Sequence, residues 1–316
     1  MSIKINVYTV RNASLCTVTV PATATIKDVK VEIAKTHKKI GVERQSLRSD
    51  LKGKDIDNKT TLNTLGLENG CTIYVKDLGP QIGWRTVYLI EYLGPPIVYA
   101  IFASRPSLFY KNADLPMSTT AYIALGCWTA HYVKRLYESA FVHRFSHGTM
   151  PLRNLFKNCA YYWGFAGYVA AHVNHPLFTP PGPLQVAFGT SLFVLSELGN
   201  LSIHLLLRDL RPAGSTVRKI PVPNSNPLTQ LYNFVSCPNY TYEFTAWLGF
   251  SILTSCIPAL VFALAGMYQM TVWAIALVFA LAGMYQMTVW AINKHKAYKK
   301  EFKDYPRRKA IIPFVL

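Results

Sequence analysis

The sequence predicts a mainly α-helical, multi-pass membrane domain preceded by a small α+β domain. Residues 1–78 alternate apolar and polar side chains between turn signals, as short strands do. From residue 82 onward the chain carries apolar segments close to the roughly 20 residues that span a bilayer. Hydrophobic residues make up 51% of the 316, yet 33 Lys and Arg against 16 Asp and Glu give a net charge of +17. This combination is typical of a membrane protein whose polar parts lie on one side.

The net charge and the cysteine spacing reduce the number of functional classes to which the chain could belong. A nucleic-acid-binding protein is also basic but lacks long apolar runs, so we predict no nucleic-acid partner. The positive charge fits membrane topology, an anionic ligand, or both. None of the six cysteines forms a CxxC pair, so we expect reduced packing residues rather than a disulfide framework or a zinc site.

The first 78 residues predict the order strand, strand, helix, strand, strand. Alternating side chains on either side of Asn12 indicate a hairpin, and Thr25 followed by Asp28 predicts a capping box that starts a helix. Later strands are predicted at 45–48 and 71–75. This order resembles a ubiquitin-like β-grasp domain. Because the chain runs on without a terminal Gly-Gly, we expect a domain for docking or stability rather than a conjugated modifier.

The remaining chain predicts about six transmembrane helices. Apolar segments lie at 86–104, 118–133, 159–173, 184–207 and 244–292. The connectors 134–157 and 208–219 and the C-terminal tail are rich in Lys and Arg, whereas 174–183 has no charged residue. The positive-inside rule therefore places the N-terminal domain, both basic connectors and the tail in the cytosol.

One apolar segment contains a tandem repeat. Residues 259–275 recur residue for residue at 276–292. A solenoid needs at least three diverged repeats, so the copy indicates a recent duplication or a sequence-assembly error. The inserted residues would add about 25 Å of helix, as a longer helix or an added span. An added span would move the tail to the opposite side of the membrane, which argues against that outcome.

Ionisable residues inside membrane segments are costly, so each is a candidate for function. They form three clusters, 131–148, 197–214 and 236–243. Histidines offer one interpretation, because His143 with His147, and His172 with His175, would share a face if helical and could bind metal. Di-iron membrane enzymes use about eight histidines with adjacent pairs, and this chain has no His-His. We therefore predict no metal site and expect interfacial packing for His172 and His175.

The clusters also suit a polyanionic ligand. No GxGxxG motif follows a strand, so a nucleotide would not bind on a Rossmann fold. Arginines can instead grip phosphates as bidentate forks, and asparagine and tyrosine side chains supply further hydrogen bonds. An arginine-rich cytosolic mouth above an apolar tunnel fits a polyanionic cofactor and an apolar substrate.

Four motifs carry a family resemblance. They are HYVKRLYESAFVHRFSHGTMPLRN, LRDLRPAGSTVRKIP, SCPNYTYE and KEFKDYPRRKAIIPFVL. In this order they resemble the very-long-chain trans-2,3-enoyl-CoA reductases, a branch of the steroid 5α-reductase fold whose members carry an N-terminal ubiquitin-like domain. The resemblance covers nearly the whole chain, and the repeat is its one departure.

The resemblance implies a reaction and its catalytic residues. The family reduces trans-2-enoyl-CoA to saturated acyl-CoA with NADPH, in the last step of fatty acid elongation, which also feeds sphingolipid metabolism. Tyr240 matches the family's proposed catalytic tyrosine and Lys134 a second required residue. Tyr132 matches a substrate-polarising tyrosine of the steroid reductases.

For the cofactor, the same resemblance suggests Asn200, Arg208, Arg211, Arg218, Asn239, Glu243, Tyr298 and Arg308. Some of these side chains have other interpretations. Arg208 and Arg211 could mark topology, Tyr298 could be an interfacial aromatic residue, and Glu243 could cap the following helix.

The family also implies a location and partners. We expect a multi-pass endoplasmic reticulum membrane protein with both termini cytosolic, acting beside the condensing enzyme, the ketoreductase and the dehydratase of elongation. Two alternatives stay open. One is a related reductase of a steroid or polyprenol double bond, and the other is a membrane scaffold without activity.

Overall fold

The computed structural model describes residues 2–145, 148–212, 219–268 and 294–301. The chain divides into two compact units, Met1–Trp84 with His147–Phe156 and Arg85–Ser146 with Lys157–Leu316. His147, Arg218, Arg308 and the second copy of the repeat lie outside the described residues.

The first unit contains the predicted strands and helix. They are β1 (Ser2–Thr9), β2 (Ser14–Pro21), α1 (Ile26–Thr36), β3 (Gln45–Arg48) and β4 (Cys71–Asp77). The sheet order is β2-β1-β4-β3, with β1 parallel to β4 and the other pairs antiparallel. The hairpin at Asn12, which has a φ of 61°, is confirmed, as is the capping box in which the Thr25 hydroxyl accepts from the Asp28 amide.

The sheet buries one apolar face against α1. Ile5, Ile26, Ile33, Leu47 and Ile73 are fully buried there, as the period-2 and helical patterns predict. At the sheet edge Arg44 donates two hydrogen bonds to Asp77, at 2.6 and 3.0 Å. These bonds lower the pKa of the Asp77 carboxyl, because they favour its ionised form.

A second, two-stranded sheet was not predicted. β5 (Gln81–Gly83) pairs antiparallel with β6 (Thr149–Pro151), and the Leu152 amide donates to the Pro80 carbonyl at 2.9 Å. Three-residue strands are too short to show a period, and the sequence analysis placed 149–151 inside a connector. Part of that connector therefore belongs to the first compact unit.

Helices occupy each predicted apolar segment as far as the structure describes it, which for the segment 244–292 is to residue 268. They are α2 (Trp84–Ala103), α3 (Thr119–Tyr137), α4 (Arg153–Val173), α5 (Pro183–Asp209), α6 (Pro238–Thr254) and α7 (Ile257–Tyr268). Within the described ranges, α2 and α5 meet both the length and the apolarity that a membrane-crossing helix needs.

Two boundaries differ from the prediction. The 244–292 run is interrupted because Ser255 adopts a left-handed φ of 48°, which ends α6 before α7 begins. Lys134 and Arg135, predicted to lie in a connector, belong to α3, which continues as a π-helical turn over Glu138–Val142. Carboxylates on α3 and α5 compensate these two cations, so they can remain in a helix.

Two prolines in α2 are accommodated by a neighbouring helix. Pro95 has no N–H to donate to the carbonyl of Glu91, four residues earlier. The Trp163 indole of α4 supplies that donor at 3.3 Å. Gly94 permits this approach, because a Cβ there would lie 1.9 Å from the indole nitrogen.

Glycines also bring α5 and α6 into close contact. A Cβ on Gly189 would lie 2.5 Å from the Leu253 amide nitrogen, and one on Gly249 would lie 2.7 Å from that of Phe193. Gly199 faces the Tyr242 ring, and a Cβ added to it would lie only 2.3 Å from a ring carbon. Small residues allow backbones to pack this tightly. The contact sets the residue after Gly199, Asn200, against the first turn of α6.

Candidate active site

A buried charge cluster lies between the C-terminal part of α3 and the facing part of α5. Lys134 forms an ion pair with Glu197 (Nζ to Oε2, 2.8 Å) and donates to the Asn200 amide oxygen at 2.7 Å. His131, one turn earlier on α3, contacts the other Glu197 oxygen at 2.7 Å. The four side chains are buried or nearly so, which strengthens each charge interaction.

A second group of charges adjoins the first. Glu138 has no exposed side-chain surface and accepts from Arg135 Nη1 at 2.9 Å. Its other oxygen lies 3.0 Å from His204 Nδ1 and 3.8 Å from Lys134 Nζ. Arg135 also donates to the Tyr92 hydroxyl at 2.9 Å. The two cations therefore share Glu138, and Lys134 also contacts Glu197, in one network.

Asn200 joins this network to α6. Its amide nitrogen donates to the Asn239 carbonyl at 3.0 Å and to Glu243 Oε2 at 3.3 Å. Glu243 also accepts from the Trp247 indole at 3.1 Å. Glu243 lies inside α6, whose N-cap is Cys237, so the alternative that Glu243 caps the helix is wrong.

Tyr132 lies in an aromatic layer beside the charges. Its ring centroid is 5.3 Å from that of Trp128, 6.2 Å from that of Trp247 and 6.3 Å from that of Tyr92. Tyr132 is fully buried, and its hydroxyl has no hydrogen-bond partner among the described residues. The same holds for the buried side-chain oxygen of Asn239. Unsatisfied buried polar atoms of this kind call for an explanation, such as a ligand.

Tyr240 lies in the first turn of α6, next to Asn239. Its phenol interacts electrostatically with Lys294 and Arg135. Lys294 begins the described segment 294–301 and interacts in the same way with Tyr298 and Arg211. Arg211 Nη1 also lies 3.5 Å from the Arg144 carbonyl. Lys294, which interacts with Tyr240, thus also interacts with two of the predicted cofactor residues, Arg211 and Tyr298.

Arg208 does not join this group. Its side chain is 36% exposed and pairs with the adjacent Asp209 at 2.8 Å. An exposed pair of this kind contributes little to stability. Arg208 thus has the surface location that the topology interpretation expects.

The histidine pairs do not share helical faces. His143 follows the π-helical turn in an extended conformation, and His175 lies beyond the end of α4, which carries His172. A different group, Glu138, His143 and His204, has ligand atoms within 4.8 Å of one another. Arg135 and Lys134 already neutralise that carboxylate, and their charges oppose a divalent cation. The expected absence of a metal stays a prediction.

Sequence reasoning missed part of the site. The predicted clusters 131–148 and 197–214 include Glu138 and Glu197, but no role was assigned to either residue. Helical spacing was an available signal, because His131 with Lys134, and Glu197 with Asn200, are each three residues apart. Tyr92 and Trp247 gave no signal, because their contacts depend on how the helices pack.

The arrangement combines acid–base groups with an apolar layer. Lys134 and Arg135 belong to the buried network that Asn200 joins to α6, where Asn239 and Tyr240 lie, and the aromatic layer that contains Tyr132 lies beside these charges. Such a site can bind a polar group, stabilise developing negative charge and donate a proton.

Family models match both parts of the chain. A model described as "TECR, ubiquitin-like domain" matches residues 2–77. The model of 3-oxo-5-alpha-steroid 4-dehydrogenase matches 148–277 and again 275–316. The second match begins at the junction of the two repeat copies, as expected if the family carries one copy.

Curated relatives match over most of the chain. The protein named "Probable very-long-chain enoyl-CoA reductase art-1" from Caenorhabditis elegans is 51% identical, over 92% of this chain and 91% of its own length. The Dictyostelium discoideum "Very-long-chain enoyl-CoA reductase" is 44% identical, over 93% of each chain. A mouse protein named "Trans-2,3-enoyl-CoA reductase-like" is 38% identical, over 94% of this chain and 79% of its own. The chain therefore belongs to the very-long-chain enoyl-CoA reductase family, with a ubiquitin-like domain ahead of a steroid-dehydrogenase-type domain.

Proposed function

We propose that this chain reduces the trans-2 double bond of a very-long-chain enoyl-CoA to the saturated acyl-CoA, with NADPH as the reductant. The observation that carries the proposal is the connection from Lys134 through Asn200 to the first turn of α6, where Tyr240 lies. The buried polar network that holds Lys134 thereby reaches the carbonyl of Asn239, the residue next to Tyr240, although Lys134 and Tyr240 are far apart in sequence. Family membership supports the reaction class and a nicotinamide cofactor.

The residues fit a nicotinamide nucleotide. The buried Asn239 oxygen lacks a donor, and a carboxamide N–H is a group that would satisfy it. Asn200 and Glu243 would hold this end of the cofactor, and Arg211 and Tyr298 its phosphate-bearing part. Arg208 is paired at the surface and is left out of this assignment. Arg218 and Arg308 stay predictions outside the described residues.

When bound, the cofactor would supply a hydride. The chain's own residues would stabilise the negative charge that develops on the substrate and donate the proton. Reduction at Cβ places negative charge on the thioester oxygen and requires a proton at Cα. The Tyr240 hydroxyl is the proposed donor of that proton. The positive charges of Arg135 and Lys294 stabilise the phenolate that remains. Tyr132, whose hydroxyl is unpaired, is the proposed hydrogen-bond donor to the thioester oxygen.

We further propose a multi-pass arrangement in the endoplasmic reticulum membrane with both termini cytosolic. Exposed apolar side chains support it: Leu93, Ile97 and Ile101 form an i, i+4 stripe on α2, each about half exposed, and Phe188 of α5 is 62% exposed. Large apolar side chains in such numbers on helix surfaces suit a lipid environment. The elongation enzymes named by the resemblance remain proposed partners, with the first unit as their proposed docking domain.

The test is NADPH oxidation with trans-2-hexadecenoyl-CoA by the chain purified from a host lacking this activity. Tyr240→Phe should lower kcat by about 100-fold or more, since general acid catalysis contributes about that much. Tyr168→Phe is the matched control, because Tyr168 is an exposed tyrosine of α4. Full activity in Tyr240→Phe would move the proton donor to Tyr132. No activity in the wild type would contradict the proposed substrate.

One alternative has an observation of its own. The matching family model is named for a steroid substrate, so a steroid or polyprenol enone is the second candidate. A panel of enoyl-CoA, steroid enone and polyprenol substrates separates the two. Turnover of an enone without turnover of enoyl-CoA would favour the alternative. A scaffold without activity would leave NADPH unoxidised with every substrate.

A further inference from the structure

Glu197 contacts two basic side chains of α3, one with each of its carboxylate oxygens. His131 Nδ1 lies 2.7 Å from one of its oxygens and Lys134 Nζ lies 2.8 Å from the other. The Glu197 side chain is only 13% exposed, so water competes weakly for either contact. No role follows for Glu197 from the resemblance or from the proposed reaction.

The residues that meet here have the same spacing on both helices. His131 and Lys134 are three residues apart on α3, and Glu197 and Asn200 are three apart on α5. Residues with this spacing lie on one face of a helix, one above the other. Each α3 side chain therefore meets an α5 acceptor, and Lys134 meets two, Glu197 and Asn200.

Lysine needs such support to hold one position. Its four-carbon chain has about 2 kcal/mol of rotamer entropy, which a single neutral acceptor offsets poorly. Without the Glu197 charge, the nearest remaining carboxylate is that of Glu138, 3.8 Å from Nζ. The ammonium would then shift along α3 toward Glu138 and away from Asn200, which connects it to α6.

We propose that Glu197 is a positioning residue that fixes the Lys134 ammonium against Asn200 and so sets the electrostatics of the α6 turn that carries Tyr240. This inference rests on the proposed function. His131 supports Glu197 from the other side and acts one contact further away. Glu197 itself has no contact with substrate in this scheme.

Glu197→Gln is the principal variant, because it preserves size and removes the charge. We expect kcat for enoyl-CoA reduction to fall about ten- to a hundredfold, the worth of a hydrogen bond to a charged group. The KM for enoyl-CoA should change much less, since the acyl chain and CoA contact other residues. Glu197→Asp retains the charge and should lose less activity. Ser196→Ala is the control, because it removes the neighbouring α5–α6 hydrogen bond to Thr245 and leaves the cluster intact.

A second readout does not depend on activity. Reductive methylation of lysines, followed by mass spectrometry, reports how freely the Lys134 amine moves compared with the exposed Lys157 of the same chain. Glu197→Gln should raise the Lys134 labelling rate several-fold relative to Lys157, and Ser196→Ala should not. A purely structural role would change labelling of both lysines together with the melting temperature.

The outcomes separate the two proposals. An active wild type whose kcat or Lys134 labelling is unchanged in Glu197→Gln overturns the positioning role. A wild type without enoyl-CoA turnover overturns the proposed function, and the labelling ratio still tests the contact between Glu197 and Lys134. If Glu197→Gln does not fold, Glu197→Ala decides, because it also removes the charge: unchanged Lys134 labelling together with unchanged kcat overturns the inference.

Discussion

Two arginines of the helical unit, Arg135 and Arg105, are both largely buried. The Arg135 side chain is 13% exposed, and Arg105 is 8% exposed over the whole residue. Arg135 lies in the last turn of α3, whereas Arg105 follows α2 and contacts the segment ahead of α3. Arg135 contacts a carboxylate, a phenol and an imidazole. Arg105 instead donates to two backbone carbonyls, those of Asn174 and Leu115.

The two sets of contacts indicate different roles, a structural one for Arg105 and a chemical one for Arg135. Arg105 donates to a carbonyl just after α4 and to one in the segment before α3, so it satisfies an acceptor at the C-terminal end of α4 and links that end to the segment. No carboxylate lies within ion-pair distance of it in the described parts of the chain. Arg135 lies among groups that can exchange protons and charge. We therefore expect changes near Arg135 to alter activity and changes at Arg105 to alter stability alone.

The largest effect is expected for Glu138→Leu. This change leaves Arg135 and Lys134 without a buried carboxylate that both contact, and breaking a buried ion pair costs about 3–5 kcal/mol. We expect little folded protein and no measurable reduction. Thermal unfolding in detergent and NADPH oxidation measure the two losses.

Two further variants serve as controls for Glu138→Leu. Glu138→Gln keeps volume and an acceptor, and should retain more folded protein than Glu138→Leu. Asp209→Asn removes a carboxylate that is 65% exposed, and its melting temperature should match that of the wild type. If Glu138→Leu unfolds at the wild-type temperature, the cluster is not the charge network described above.

A smaller effect, on stability alone, is expected for Arg105→Met. Two carbonyls lose a charged donor, and Arg105 itself has a left-handed φ of 49° that those bonds help to hold. The loss should be about 2–3 kcal/mol, the worth of a hydrogen bond to a charged group or somewhat more. Activity per folded molecule, with a KM equal to that of the wild type, should persist below the melting temperature. A selective fall in kcat would mean that the Arg105 contacts are coupled to the cluster around Arg135.

Much of the fold could be predicted because local patterns determine it. Thr25 and Asp28 define the start of α1, and the side-chain alternation around Asn12 defines a hairpin, both confirmed. The ends of α3 and α6 could not be predicted. Lys134 and Arg135 look like the start of a connector until their partners on other helices are known. Ser255 is an ordinary residue whose left-handed conformation depends on the turn into α7.

The site was predicted in part for the same reason. Asn239 and Glu243 lie in a quoted motif and Asn200 was suggested by the family resemblance, and the structure places Asn200 within hydrogen-bond distance of the other two. Glu197 lies outside every quoted motif, and its partners are 63 and 66 residues away in sequence. Composition alone gives no reason to pair them. Only the packing of α3 against α5, which local sequence does not specify, brings them together.

The smallest stability effect is expected for Gly199→Ala, which tests the packing of α5 against α6 next to the charge cluster. An added Cβ would lie 2.3 Å from the Tyr242 ring, a side chain that can shift, so the cost should be about 1 kcal/mol. The shift would move Asn200 relative to Asn239 and Glu243, and kcat should fall more than the melting temperature suggests. Gly126→Ala in α3 is the matched control, because nothing lies within 4 Å of its added Cβ. Equal activity in the two variants would mean that the α5–α6 spacing at Asn200 does not control the site, and Arg135 and Arg105 would then differ in their partners but not in their consequences.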